Sequence, residues 1–220
     1  MADGVLLGAD LGTSGLKLVV LDEEGTTVAE AERAYEPDRP RPGWAESDVA
    51  TWRAAVEETL AEIAPAIRGR PVRALGLSGQ MHGAVLVDAH GAALRPALLW
   101  PDGRATAELA GWRGLPPADR AALANPLAPG MTGPMLAWLV RNEAATVARA
   151  AAVLLPKDAL RAALVPGAAT GITDRSDASA TLLWDVPGER WSPAAVAAAG
   201  IPAELLPEVR PAVDVVGEGP

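Results

Sequence analysis

The sequence predicts an α/β chain with a mixed central sheet flanked by helices, and three observations predict it. Residues 5–34 alternate short apolar runs with tight turns, as a strand meander does. An amphipathic run at 46–63 has helical spacing, and residues 72–78 return to strand character. Beyond Arg104 the chain becomes helical and alanine-rich. With 220 residues and 50% hydrophobic content, it can bury a sizeable core.

VLLGAD (5–10) reads as a buried strand, LGTSG as a turn, and LKLVVL (16–21) as a second strand rich in branched side chains. DEEG (22–25) turns the chain again, and TTVAEAERA (26–34) alternates as a third strand. Three strands joined by tight turns make an antiparallel meander. PDRPRPGW (37–44) has too many prolines for helix or strand and reads as a loop. In ESDVATWRAAVEETLAEI (46–63), Val49, Trp52, Val56, Leu60 and Ile63 share one helical face, with Ser47 or Asp48 as cap and Pro65 as the stop. VRALGLS (72–78) is strand-like, and AVLVD with its AHG turn opens another hairpin leading to ALLW. Three strands, a helix and another strand is the order of half a ribonuclease-H-like unit.

Further along, PMLAWLVRNEAATVARA (134–150) reads as one helical stretch, VLLPKDALRAAL (153–164) as strand into helix, and DASATLLW (177–184) as another helix. WSPAAVAAAG has Ser192 as cap, Pro193 in the first turn and Gly200 as the stop. VDVVGEGP (213–220) reads as the start of a strand.

Composition narrows the function classes. Lys plus Arg is 19 against 28 Asp plus Glu, a net charge of −9, so the surface repels polyanions and no nucleic-acid partner is expected. No apolar stretch is long enough to span a bilayer, and the N-terminus lacks a basic segment leading into an apolar core, so no membrane partner is expected. The absence of cysteine excludes disulfide scaffolds and thiolate metal sites, and fits a cytoplasmic location. Lys17 and Lys157 are the only lysines.

Three stretches carry residues suited to chemistry. In GADLGTSGLK (8–17), a carboxylate at the end of a buried run meets a turn rich in glycine and hydroxyls. Two readings fit. One is an ordinary hairpin with Gly12 and Gly15 at positive φ. The other is a cradle in which the Asp10 carboxylate meets a hydrated Mg²⁺, while Thr13, Ser14 and the turn N–H groups meet phosphate. There is no Gly-Lys dipeptide for a Walker A loop, and the glycine spacing differs from GxGxxG. In SGQMHG (78–83), Gln80 and His82 follow a strand, where α/β sheets place ligands, although a lone histidine is usually a satisfied loop residue. His90, in DAHG, reads as surface. In LLWPDGR (98–104), Asp102 and Arg104 are either a solvated ion pair or an acceptor and donor for sugar hydroxyls, with Trp100 as an apolar wall. GITDRSDASATLLWD (171–185) holds Asp174, Asp177 and Asp185; Asp177 reads as a helix cap rather than a catalytic acid.

These stretches occur in order: GADLGTSGLKLVVLDEEG, RPGWAESDVATWRAAV, ALGLSGQMHGAVLVD, RPALLWPDGR, APGMTGPMLAW, VLLPKDALR, SDASATLLWDV and RWSP. Together they resemble the N-terminal lobe of the FGGY carbohydrate kinases, and the xylulokinases within that family, from about residue 5 to the C-terminus. The resemblance implies a two-lobed, ribonuclease-H-like (actin-like ATPase) fold with ATP and Mg²⁺ in the cleft. Residues 1–220 would form the N-terminal domain, without its last part or the second, nucleotide-binding lobe. The implied reaction is ATP-dependent phosphorylation of D-xylulose to D-xylulose 5-phosphate. Another sugar, or a polyol such as gluconate, is the alternative substrate, and a non-catalytic sugar-binding module of the same fold the alternative function.

By that resemblance, Asp10 faces the metal, and Gly12, Thr13 and Ser14 face the nucleotide phosphates. Gln80, Met81 and His82 line the sugar site, and Trp100, Asp102 and Arg104 complete its wall. A homodimer is also compatible. Three departures stand out. Pro101 replaces a usual asparagine, and Met131 and Met135 replace an aromatic and a lysine near the cleft. The family's catalytic base, an aspartate in a GDN-type segment, has no counterpart here. It is expected beyond Pro220, and the isolated chain is expected not to turn over.

Overall fold

A computed structural model describes residues 3–165 and 171–218. Strands β1 (Val5–Leu11), β2 (Gly15–Asp22) and β3 (Thr27–Ala34) form the expected antiparallel meander. A two-residue strand, β4 (Glu46–Ser47), leads into helix α1 (Val49–Ile67). Of the two candidate caps, Asp48 is the one used, accepting from the Ala50 N–H at 2.9 Å. Pro65 does not stop the helix; it sits in the last turn, and α1 ends two residues later. A proline there deletes one helical hydrogen bond near an end where the ladder is already running out.

Strand β5 (Val72–Gly79) then lies parallel to β1, giving the sheet order β3-β2-β1-β5. Three antiparallel strands plus a parallel fourth reached through a helix is the mixed arrangement expected of a ribonuclease-H-like half. The inner face carries Val5, Leu11, Leu16, Leu18 and Val20, packed on Trp52, Val56 and Ile63 of α1. The alternate positions Leu6, Gly8 and Asp10 are exposed. Strand periodicity therefore puts Asp10 on the open face, immediately beside the buried Ala9 and Leu11.

A second core is built from later elements. Strands β6 (Val85–Val87) and β7 (Ala97–Leu98) are followed by helices α2 (Leu109–Arg113), α3 (Pro117–Ala122), α4 (Thr132–Asn142) and α5 (Ala144–Val147). The stretch 134–150 is thus two helices, because Glu143 leaves helical geometry (φ −134°, ψ 42°) and pairs with Arg95 at 3.0 Å. Strand β8 (Ala152–Leu154) pairs antiparallel with β6 and runs into α6 (Pro156–Leu164), as the sequence indicated. Strand β9 (Ile172–Asp174), helix α7 (Arg175–Ser179), strands β10 (Trp184–Asp185) and β11 (Arg190–Trp191), helix α8 (Pro193–Ala199) and strand β12 (Glu208–Arg210) complete the chain. Met131 and Met135 are both buried in this second core with Leu86, Leu98, Trp112 and Leu136, so they fill the interior and do not line a cleft.

Two further expectations are corrected. DASATLLW is not a helix beyond Ser179. The carbonyls of Ser179, Thr181 and Leu182 are taken by Asn125 Nδ2, the Gly133 N–H and Trp112 Nε1, and Leu182 adopts φ 60°, which turns the chain away. Nor do the described residues of VDVVGEGP form a strand. They are irregular and Val213 and Val215 are exposed, while Gly219 and Pro220 lie outside the described residues. The α8 reading holds in full: Ser192 Oγ accepts from the Ala195 N–H, and Gly200 closes the helix at φ 71°.

Candidate functional site

Because β1 and β5 are adjacent and parallel, the segments after them leave the same edge of the sheet. Asp10 stands beside Ser78 in register, and Leu11 beside Gly79. The turn 12–14 and the loop 80–83 are therefore neighbours, where parallel strands of α/β proteins present ligands. The Gln80 N–H donates to the Leu11 carbonyl at 2.7 Å, joining the two segments directly.

Asp10 is exposed, not buried as its apolar neighbours suggested, and accepts from Ser78 Oγ at 2.6 Å through one oxygen. Among the described residues no donor meets its second oxygen. Nor do three or more acidic or histidine side chains among those residues come together in a way that could hold a metal ion. A single open carboxylate suits Mg²⁺, which commonly keeps its waters and takes one or two carboxylates plus phosphate oxygens.

Gly12 and Gly15 are not at positive φ. Glycine is required for a different reason: a Cβ on Gly12 would lie 2.9 Å from the Gly15 carbonyl oxygen, and one on Gly15 would lie 3.0 Å from the Arg33 carbonyl oxygen. The turn is closed by the Gly12 N–H donating to Gly15 O at 2.8 Å. No acceptor among the described residues meets the Thr13 and Ser14 N–H groups.

Tyr35, the only tyrosine, has a role that the sequence did not reveal. Its hydroxyl donates to the carbonyl of Gly12 at 2.7 Å and lies 3.1 Å from that of Gly15, and its N–H donates to Ser14 O. Burial, reinforced by the Asp10 charge, pushes its phenol well above the ordinary range, so it remains a donor. Its position just after an alternating strand was the one available clue.

The Gln80–Gly83 loop is held tightly. Gln80 is 9% exposed; its Nε2 reaches the Gly12 carbonyl at 3.4 Å, and its buried Oε1 has no partner among the described residues. His82 and Gly83 both take left-handed backbone, φ 61° and 77°. For a residue other than glycine this is uncommon and marks a constrained position. His82 Nδ1 lies 2.5 Å from the Ala180 carbonyl, which can only accept, so Nδ1 carries the proton and Nε2 is left as an acceptor. Burial lowers the imidazole pKa against the opposing effect of that bond, keeping the ring neutral near pH 7. Met81 is exposed.

Trp100 is 48% exposed and reaches the same edge, its indole N–H donating to Thr13 Oγ1 at 2.8 Å. Asp102 and Arg104 take a different course from the one the sequence suggested. Asp102 is 1% exposed, and its two oxygens accept from the Ala45 N–H, the Arg104 N–H and the Arg104 guanidinium at 2.6–2.9 Å. The guanidinium also meets Glu46 at 2.8 Å and lies over Trp44, 3.5 Å from its ring centroid, and 4.9 Å from that of Trp138. The pair is neither solvated nor open to sugar hydroxyls; it clamps the Trp100 turn onto the 43–47 segment. Local sequence could not show this, because both tryptophans are distant in the chain. His90 is exposed, as expected.

Below the Gln80 loop lies an ionic cluster. Lys157 Nζ is 2.8 Å from Asp158, 2.9 Å from Asp174 and 3.0 Å from Asp177, and Arg161 pairs with Asp158 at 3.0 Å. Burial alone would lower the Lys157 pKa, but the carboxylates outweigh it and hold the ammonium above its ordinary range. Burial pushes Asp177 up to about 6, with Asp158 and Asp174 adding repulsion against the pull of Lys157. Asp177 is not the cap of α7; Asp174 is, accepting from the Asp177 N–H at 3.0 Å.

Comparison with known proteins places this geometry in a family. Residues 5–219 match the FGGY family of carbohydrate kinases, N-terminal domain. A xylulose kinase from Klebsiella pneumoniae is 38% identical over 212 residues, covering 96% of this chain and 43% of its own length. The crystal structure of a xyloylose kinase from Brucella ovis superposes with a TM-score of 0.87 at 40% identity, over 94% of this chain and 43% of that one. That of a xylulose kinase from Rhodospirillum rubrum gives 0.88 at 28% identity, over 98% and 45%. The chain spans less than half the length of these relatives. The mixed sheet, the ordered motifs and these matches agree: the chain belongs to the FGGY family of carbohydrate kinases, as an N-terminal domain with their ribonuclease-H-like fold.

Proposed function

We propose that this chain is the sugar-binding lobe of a cytoplasmic, ATP-dependent kinase that converts D-xylulose to D-xylulose 5-phosphate. One observation supports it above the others: the open carboxylate of Asp10, the Thr13–Ser14 turn, the Gln80–His82 loop and Trp100 all gather at the shared edge of β1 and β5. The identity to xylulose kinases supports D-xylulose as the sugar.

In this reading the exposed Trp100 face packs on the carbon face of the sugar, and Met81 adds apolar surface beside it. His82 Nε2 accepts from a sugar hydroxyl, and Gln80 Oε1, buried without a partner among the described residues, accepts from another or from a bridging water. Asp10 holds Mg²⁺, and the Thr13 and Ser14 N–H groups meet phosphate oxygens. Bound there, Mg²⁺ supplies neutralisation of charge on the transferring phosphoryl group. Asp102 and Arg104 act only through the position of Trp100. The base that takes the acceptor proton and the adenosine site are assigned to polypeptide outside this chain.

Calorimetric titration of the 220-residue chain with D-xylulose, D-gluconate and glycerol tests the reading. Saturable D-xylulose binding, at least tenfold tighter than the other two and abolished by Trp100→Ala, is the expected result, with no ADP release in a coupled assay. Tighter binding of gluconate or glycerol overturns the choice of sugar, and turnover by this chain overturns the assignment of the base.

A further inference from the structure

Lys157 lies outside the proposed sugar contacts, yet it stands at a junction beneath them. Its stem packs at the end of β5: a Cβ added to Gly79 would lie 3.1 Å from the Lys157 Cβ. Its ammonium spans three carboxylates on two separate segments, Asp158 on its own helix and Asp174 and Asp177 around α7. From there a short path leads to the imidazole. Lys157 Nζ lies 3.0 Å from Asp177, the Asp177 carbonyl accepts from the Ala180 N–H at 3.1 Å, and the Ala180 carbonyl accepts from His82 Nδ1 at 2.5 Å.

Helix α7 has only five residues, too short to hold its end rigidly by its own hydrogen bonds. Something else must fix the Ala180 carbonyl, which in turn fixes the proton on Nδ1. Asn125 Nδ2 and the Gly133 N–H hold the neighbouring carbonyls of Ser179 and Thr181, and the ion cluster ties α7 itself: its side chains are at most 16% exposed, so water screens it little. From the opposite side, His82 is held in left-handed backbone two residues after Gln80.

We propose that Lys157 is a positioning residue that locks α7 against the end of β5, fixing the tautomer and orientation of His82 through the Ala180 carbonyl. The lock makes Nε2 a standing acceptor at the site. Its consequence for sugar binding rests on the reading above; its effect on the imidazole does not.

Long-range proton–nitrogen spectra of the imidazoles, in a His90→Gln background, isolate His82 and report its tautomer directly. Lys157→Met alone would leave buried carboxylates uncompensated and is liable to unfold. The variants are therefore Asp177→Asn, which removes one of the two pairs from Lys157 to α7 without stranding a carboxylate, and the charge-matched pair Lys157→Met with Asp177→Asn, which removes both.

The wild-type ring is expected as a single Nδ1-protonated form at pH 7. The paired variant, with its fold confirmed by circular dichroism, should show mixed tautomers and about tenfold weaker D-xylulose binding, the scale of one oriented hydrogen bond. Asp177→Asn should shift the ring signals in the same direction by less, and Lys157→Arg should retain the wild-type tautomer. Wild-type imidazole signals in a folded paired variant, or in Asp177→Asn should the pair not fold, overturn the inference. If the ring signals move as expected but the wild-type chain binds no D-xylulose, the positioning inference stands and the sugar reading fails.

Discussion

Trp100 gives its indole N–H to the hydroxyl of Thr13 at 2.8 Å, across 87 residues of sequence. The residue proposed to wall the sugar is thus tethered by the turn proposed to face phosphate. Thr13→Val removes the acceptor at nearly constant volume and leaves the half-exposed indole free to rotate. We expect D-xylulose affinity to fall about fivefold, in keeping with about 1 kcal/mol for one hydrogen bond, while Thr13→Ser retains it. Calorimetry gives the affinity, and the Trp100 indole proton reports the bond.

The same tryptophan is set from below by Gly130. A Cβ built there overlaps the Trp100 carbonyl oxygen, a backbone atom that cannot rotate away. Gly130→Ala should therefore displace the 99–103 turn and destabilise the fold by about 1–3 kcal/mol, the range for overpacking. Urea unfolding gives the stability change, and loss of the Thr13-bonded indole signal marks the displacement.

Arg104 is the buried side of the Trp100 clamp, with 1% of its side chain exposed against Asp102 and Glu46. Arg104→Met strands the fully buried Asp102 carboxylate, while Glu46 keeps its 2.6 Å pair with Arg95, and should cost about 3–5 kcal/mol in urea unfolding. Arg104→Lys should recover only part of that, since an ammonium cannot form the two-pronged contact with Asp102 or stack its plane on Trp44.

The pH dependence of stability carries a sign that separates two groups. The Asp177 carboxyl is raised to about 6 from an ordinary 3.8, so between those values the folded chain binds the extra proton. Its contribution to stability falls as pH rises from about 4 to 6. His82 is lowered from 6.5, so the unfolded chain binds the extra proton near that pH, and its contribution increases as pH rises through 6.5. Asp177→Asn should abolish the first effect and keep the second. Compared by thermal unfolding from pH 4 to 8, the variant should gain on the wild-type chain up to pH 6 and hold that gain above it.

Much of this protein was legible in its sequence wherever a local rule governs the outcome. Alternating apolar runs and turn residues gave the meander, Ser192, Pro193 and Gly200 bounded their helix, and the order of motifs gave the family. Local rules failed where distant groups compete for the same atoms. The carbonyls that would have continued a helix past Ser179 are taken by Asn125, Gly133 and Trp112, and Gly12 is needed because of a neighbouring carbonyl, not because of its own φ.

By itself, the sequence determined the fold class and which segments hold the candidate chemistry, because side-chain periodicity and turn chemistry act within a few residues. Only the tertiary structure decided which of those side chains face outward. Asp10 is open because strand alternation sets it on the uncovered face of the sheet, whereas Asp102 and Arg104 turn inward because Trp44, Glu46 and Trp138 converge on them from other parts of the chain.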